Sequence, residues 1–320
     1  MRGLFADLQG QPLAQQLLEA ALDQQRLAPA YLFSGPDGVG RRLAAQRFLE
    51  GLLSGGGSDA RERRRLEERN HPDLLWVEPT YSHQGRLIPR SEAEAAGVSR
   101  RTPPQVRLEQ IRGLSQFLAR QPLESPRGLV ILEQPEAMAE GAANALLKTL
   151  EEPGHGLLIL LSAAPERLLT TIRSRCQQIR FTRLTEACMA SVLDSLPNNE
   201  GDQALTLASS QPELIALAAG SPGALLEHVR IWRSIPDDLK QRLQTLPLTP
   251  VEAMALARDL SDQLEGEQQL WLIGWWQQHL WRSHGREELL VRLDRLRQHL
   301  LSFVQPRLAW EVALLNLSQA

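Results

Sequence analysis

Along roughly the first half of the chain, apolar residues alternate between two patterns. Solid apolar runs of strand length occur in "YLFSG" (31–35), "DLLWVEP" (73–79), "GLVILEQ" (128–134) and "GLLILLS" (156–162). They show no in–out alternation, which is the pattern of strands buried on both faces. Between them, apolar residues recur at helical spacing in "PLAQQLLEAALDQQRL" (12–27), "RRLAAQRFLEGLL" (41–53), "QVRLEQIRGLSQFL" (105–118) and "GAANALLKTLEEP" (141–153), the last stopped by Pro153 and Gly154. Short buried strands alternating with helices predict a parallel sheet covered on both sides.

After residue 181 the strand-like runs cease. Residues 183–230 read as short helices broken by "LPNNEGDQ" and "AGSPGAL", and longer helices follow to the end. The predicted organisation is therefore α/β plus all-α. An α/β domain spans 1–181, a small helical domain 182–230 and a helical domain 231–320. Two stretches stand outside this pattern. "SGGGSDARERRRLEERNHPD" (54–73), with five Arg and three Glu after a Gly-rich turn, reads as a solvated helix or loop. "YSHQGRLIPRSEAEAAGVSRRTPP" (81–104) is polar and Pro-bounded, and reads as a mobile surface loop.

Composition changes the picture in four ways. The formal net charge is -3 over 320 residues, so no overall basic field draws the chain to nucleic acid or an anionic surface. No apolar run reaches membrane-spanning length, and the first residues lack a signal-peptide core, so a cytoplasmic, membrane-free protein is expected. Two cysteines, Cys176 and Cys188, are too few for an all-cysteine zinc site. The basic residues are almost all arginine: of 35, only Lys148 and Lys240 are lysine.

Candidate chemistry begins at Gly35-Pro36-Asp37-Gly38-Val39-Gly40, between a predicted strand and a predicted helix. A phosphate-binding loop of pattern G-x-x-x-x-G-K-[ST] cradles phosphates on its backbone N–H groups, with Lys on the outer phosphates and a hydroxyl on Mg²⁺. Gly35, Gly38 and Gly40 keep that backbone possible, but Arg41 and Arg42 stand where Lys and the hydroxyl belong. The preference for arginine would account for Arg41, not for Arg42. Taken alone, the loop is either a degenerate nucleotide site or a Gly-rich turn that never held one. The strand "LVILEQ" ends in Glu133-Gln134, where a hydrolase needs two carboxylates for metal and water; the second is an amide, which cannot serve as a base. Glu136, beyond the strand, reads as solvated. The four Trp of "LWLIGWWQQHLW" (270–281) read as a helix packed in a core or against partner helices.

The segment 128–181 resembles the clamp-loader branch of the AAA+ ATPases, above all in "NALLKTLEEP" followed by "PERLLTTIRSRC". The likeness extends through "LFADLQGQPLAQQLLEAAL" near the start and "LAAGSPGALLEHV" at 217–229. It implies a P-loop-type AAA+ sheet domain, a helical lid and a C-terminal collar that joins a ring. It also implies a role for Ser174-Arg175-Cys176: in this family that arginine reaches across a subunit boundary to the γ-phosphate of a neighbour's ATP. Arg173, adjacent, lies outside the motif, and Cys176 is expected to be packed rather than reactive. Two family features are missing and a third, the polar sensor, is at best half kept. A Gly-Ser-x-Arg sensor stretch is here Gly220-Ser221-Pro222-Gly223, without the arginine; the polar sensor after the later strand falls at Ser162-Ala163; and the zinc-binding cysteines are absent. The resemblance therefore implies a non-hydrolysing subunit of the bacterial DNA polymerase III clamp loader, with no cofactor and no metal. Its partners would be tau/gamma-type ATPase and delta subunits, with the sliding clamp and primed DNA reached through the complex. The alternative is an active ATPase with an atypical loop.

Overall fold

A computed structural model describes residues 3–83, 85–93, 95–98, 103–152, 154–197, 200–244, 249–302 and 304–318. The chain divides into two compact units. One holds the described residues of Met1–Val98 and Thr102–Val192 together with Gly220–Gly223; the other holds those of Leu193–Ala219 and Ala224–Ala320.

The first unit is built on helix α1 (Pro12–Asp23), strand β1 (Ala30–Ser34), α2 (Arg41–Leu53), α3 (Ala60–Glu67), β2 (Leu74–Val77), β3 (Thr80–His83), β4 (Arg86–Pro89), α4 (Leu108–Leu118), β5 (Leu129–Glu133), α5 (Glu140–Glu151), β6 (Leu157–Ser162), α6 (Thr170–Arg173), β7 (Gln177–Arg180) and α7 (Glu186–Asp194). Five strands form one parallel sheet in the order β2-β5-β6-β1-β7. All four apolar runs of the sequence are strands of this sheet, and β1 and β6 are buried along their whole length. Leu32, Val130, Leu132, Leu158 and Leu160 meet Ile111, Leu114 and Leu146 of α4 and α5 in one core cluster. β7, "QQIR", was not evident as a strand: it is an edge strand with only Ile179 buried, so it carries no apolar run.

The two irregular stretches are more ordered than their composition implied. In residues 54–73, Asp59 caps α3 by accepting the Arg61 and Glu62 N–H groups. The α3 arginines do not all face water. Arg63 donates to Glu50 at 2.9 and 3.1 Å, and Glu50 is completely buried on α2. Glu50 also accepts from the Ser58 hydroxyl and the Asp59 N–H, while buried Arg47 bonds Asp7 and Glu67. A buried carboxylate is tolerated only with such partners. Residues 81–104, expected as a mobile loop, include an antiparallel ribbon of β3 and β4. Tyr81, Ala93 and Val98 form a small core of their own, joined by Ile88. Residues 84, 94 and 99–102 of that stretch lie outside the described residues, as does Pro153.

The second unit is helical: α8 (Glu200–Ser210), α9 (Pro212–Ala218), α10 (Pro222–Ser234), α11 (Asp237–Gln244), α12 (Pro250–Gln263), α13 (Gly266–His284), α14 (Glu287–Leu301) and α15 (Pro306–Ser318). The Trp-rich segment is α13. Trp275 and Trp276 are fully buried, and Trp276 donates its indole N–H to the Leu243 carbonyl. Trp281 is half exposed.

Candidate functional site: an altered phosphate loop and an arginine at the surface

Ligands of open parallel sheets collect at the carboxyl ends of the strands. Here β6 lies between β1 and β5, so Gly35 after β1, Ser162 ending β6 and Glu133 ending β5 come to the same edge. The loop keeps its glycine backbone. Gly38 and Gly40 have φ of 76° and 99°, in the left-handed region that side chains disfavour. Gly35 is pressed against the Phe181 backbone, where a Cβ would clash. These glycines give the turn between β1 and α2 a backbone that side chains would not allow.

The side chains around it do something else. Arg42 donates to Glu133 at 2.7 Å. Glu133 also accepts the Trp76 indole N–H at 2.7 Å and lies 3.8 Å from Arg69. Arg42 and Arg69 both sit over the Trp76 ring, with centroid distances of 5.7 and 4.3 Å. The carboxylate that would hold a metal is thus committed to an arginine and an indole, and a guanidinium stands where a metal-binding hydroxyl would be. Arg41 is 8% exposed and pairs with Asp37 one turn earlier. Burial pulls its guanidinium below the ordinary value, while Asp37, Glu136 and Glu133 pull it back. One of its terminal nitrogens, Nη1, is buried without a hydrogen-bond partner. Gln134 is held at φ 47°, an uncommon conformation for a non-glycine residue, as the chain turns out of β5.

Glu136 is the site residue that sequence reasoning placed wrongly. It is not solvated. It accepts the Ala163 and Ala164 N–H groups at 2.9 and 3.2 Å, fastening the turn after β6, and its second oxygen is buried without a partner. The signal was non-local: the acceptor follows β5 and the donors follow β6. Ser162 is fully buried, its hydroxyl also unpartnered. The Gly220–Gly223 turn closes on the loop from outside. Ser221 donates its hydroxyl to the Asp37 carbonyl, and the Gly223 N–H donates to the Gly38 carbonyl at 3.1 Å. A Cβ on Gly223 would lie 2.7 Å from the Gly38 Cα, so the position that lacks the sensor arginine is packed directly on the loop backbone.

Ser174, Arg175 and Cys176 follow α6 directly and lead into β7. Ser174 donates to the Thr171 carbonyl. Arg175 keeps 37% of its side chain exposed, donates to the Thr171 carbonyl at 3.1 Å and pairs with Glu151 of α5 at 2.9 Å. Cys176 is buried, and burial pushes its thiol up to about 12. Among the described residues no cluster of three or more His, Cys, Asp or Glu is arranged to hold a metal, and no helix is long and apolar enough to cross a membrane.

A parallel sheet in this order, a glycine loop after its β1 strand and an acid ending β5 define an α/β protein of the AAA+ type. The family model described as "DNA polymerase III, delta subunit" matches residues 10–185, and that described as "Cyanobacterial DNA polymerase III delta prime, C-terminal domain" matches residues 187–317. The chain belongs to the DNA polymerase III delta-prime family of clamp-loader subunits. Among relatives, the delta' subunit of Pseudomonas aeruginosa is 33% identical over 69% of this chain and 64% of its own length. The delta' subunit of Bacillus subtilis is 34% identical over 54% of this chain and 48% of its own. The matches therefore span between about half and two thirds of those relatives. A crystal structure of a gamma subunit-related DNA polymerase III protein from Thermotoga maritima shares the fold, with a TM-score of 0.54, 16% identity and coverage of 96% of this chain and 99% of that one.

Proposed function

We propose that this chain is a cytoplasmic, non-hydrolysing subunit of a clamp-loading assembly that donates Arg175 to the ATP site of an adjacent tau/gamma-type ATPase. A delta subunit would complete the ring, and the sliding clamp and primed DNA would be engaged by the whole complex. The observation that carries the reading is the contrast between two arginines. Both guanidiniums are exposed, 56% for Arg42 and 37% for Arg175, but Arg42 donates to Glu133, where hydrolysis would need a metal, whereas Arg175, before β7, has donors to spare beside Glu151. An outward guanidinium supplies the positive charge that a transferring phosphoryl group needs. The chain's own site lacks a hydroxyl at Arg42, a second carboxylate at Gln134 and a sensor arginine at Gly223.

The test is reconstitution. Alone, the chain is expected to hydrolyse no ATP above background. In a loader assembled with the ATPase and delta subunits, Arg175→Ala should leave assembly intact by gel filtration and lower DNA-stimulated ATPase and clamp loading. An arginine finger is worth about 10³–10⁵ at its own site. The bulk loss is smaller where other sites carry their own arginines. Arg175→Lys should rescue poorly, because an ammonium lacks the planar fork. Full loading activity with Arg175→Ala would defeat the trans-acting role.

A further inference from the structure

We propose that Glu151 is a positioning residue that presents Arg175 to the neighbour's phosphate; this rests on the trans-acting reading of Arg175. Glu151 is the last residue of α5, and Arg175 lies just past the end of α6. A carboxylate at a helix C-terminus faces the negative end of the helix dipole, so that placement gains nothing for α5 itself. What it gains is Arg175 at 2.9 Å.

The guanidinium is fixed from two directions. One terminal nitrogen donates to Glu151 on α5 and the other to the Thr171 carbonyl on α6, which sets the plane of the fork. A guanidinium has five N–H donors. Two are used among the described residues, and five minus two leaves three for an incoming anion. The pair is half exposed on both sides, so the phosphate can reach the arginine without a buried ion pair being broken. The adjacent Arg173 differs: it has no carboxylate partner among the described residues, and its Nε is buried unpartnered. An arginine already held in one plane loses less rotamer freedom when it docks on a phosphate. The negative charge of Glu151 opposes an incoming phosphate, since both would lie on one guanidinium within the Debye length of about 8 Å, and faster turnover without the carboxylate is the sign that opposition outweighs positioning.

The experiment uses the reconstituted loader with Glu151→Ala, which removes the acceptor, and Glu151→Gln, which keeps one. Each is made alone and with Arg175→Ala. Glu151→Ala should lower the Arg175-dependent part of kcat about two- to fivefold, the scale of an exposed ion pair. KM for ATP should be unchanged, and Glu151→Gln should recover most of the loss. In the Arg175→Ala background, Glu151→Ala should change nothing further. Wild-type turnover with Glu151→Ala, faster turnover, or an equal loss in both backgrounds would each overturn the positioning role while leaving Arg175 its own. Wild-type turnover with Arg175→Ala alone would overturn the trans-acting reading and the positioning role with it.

Discussion

Cys176 lies next to Arg175 in sequence, yet the two residues point to opposite fates. Burial leaves the thiol 8% exposed and pushes it up to about 12, so almost none is thiolate near neutral pH. Its place in the Ser-Arg-Cys stretch is therefore a packing role: it joins the cluster of Ile172, Leu146 and Leu168 that seats the turn carrying the arginine. Cys188 is less buried. An aromatic disulfide reagent at pH 8 is expected to modify one thiol per chain rapidly in the native protein and two in urea. Rapid modification of both in the native state would show that Cys176 is accessible. Burial of this cysteine was legible from residue type, since a free cysteine behaves as a small hydrophobe. The anchoring of Glu136 was not, because nothing local distinguishes an acid that accepts two backbone N–H groups from one that faces water.

The "NHPD" element shows how a charged segment is held in place by buried hydrogen bonds. Asp73 is buried and accepts the N–H groups of Leu123, Glu124 and Ser125 at 2.7, 2.8 and 2.8 Å, tying the start of β2 to the loop before β5. His71 is buried beside it and accepts the Asp73 N–H on Nδ1. Burial alone would raise the Asp73 carboxyl, but the N–H groups of Leu123, Ser125 and Glu124 more than offset this and hold it below the ordinary carboxylate value. Glu78 is likewise held low: against burial, the Ser91 hydroxyl and Arg69 favour its charged form. With folded-state values depressed, the unfolded chain binds more protons in that range. Stability is fully present above the unfolded carboxylate value, near 4, and is lost as pH falls through the folded values. Urea titrations from pH 7 to pH 3 should show that fall. Asp73→Asn should cost about 1–3 kcal/mol at pH 7, because an amide oxygen cannot hold three donors, and should flatten the acid limb. An unchanged pH slope in Asp73→Asn would assign the acid sensitivity elsewhere. Sequence could flag this stretch only as charged; the burial of Glu50, Asp73 and Arg47 depends on elements that meet in the fold.

At the scale of the whole chain, what was legible followed the density of local signal. Solid apolar runs gave four of the five sheet strands, and helical spacing gave α2 to the residue. Polar β7 and the β3–β4 ribbon were hidden because edge and two-stranded elements need no apolar run. The candidate site was legible as a set of missing groups, not as the contacts that replaced them. Arg42 and Glu133 are 91 residues apart in sequence, and Ser221 and Asp37 are 184 apart. Those replacements bear on whether hydrolysis can be recovered by restoring the motif. Arg41→Lys, Arg42→Thr and Gln134→Glu together would return the ammonium, the hydroxyl and the second carboxylate. Glu133 would still be bonded to Trp76 and close to Arg69, and the Gly220–Gly223 turn would still grip the loop carbonyls. Adding Gly223→Arg to regain the sensor would drive a Cβ to 2.7 Å from the Gly38 Cα, so the loop itself would have to shift. The triple variant is therefore expected to stay at background in a steady-state ATPase assay, and the quadruple variant to lose stability by about 1–3 kcal/mol, the usual cost of overpacking. Turnover on the order of 1 s⁻¹ by the triple variant, abolished again by changing Gly40, would mean that the loop had remained a competent nucleotide site and that three side chains alone had silenced it.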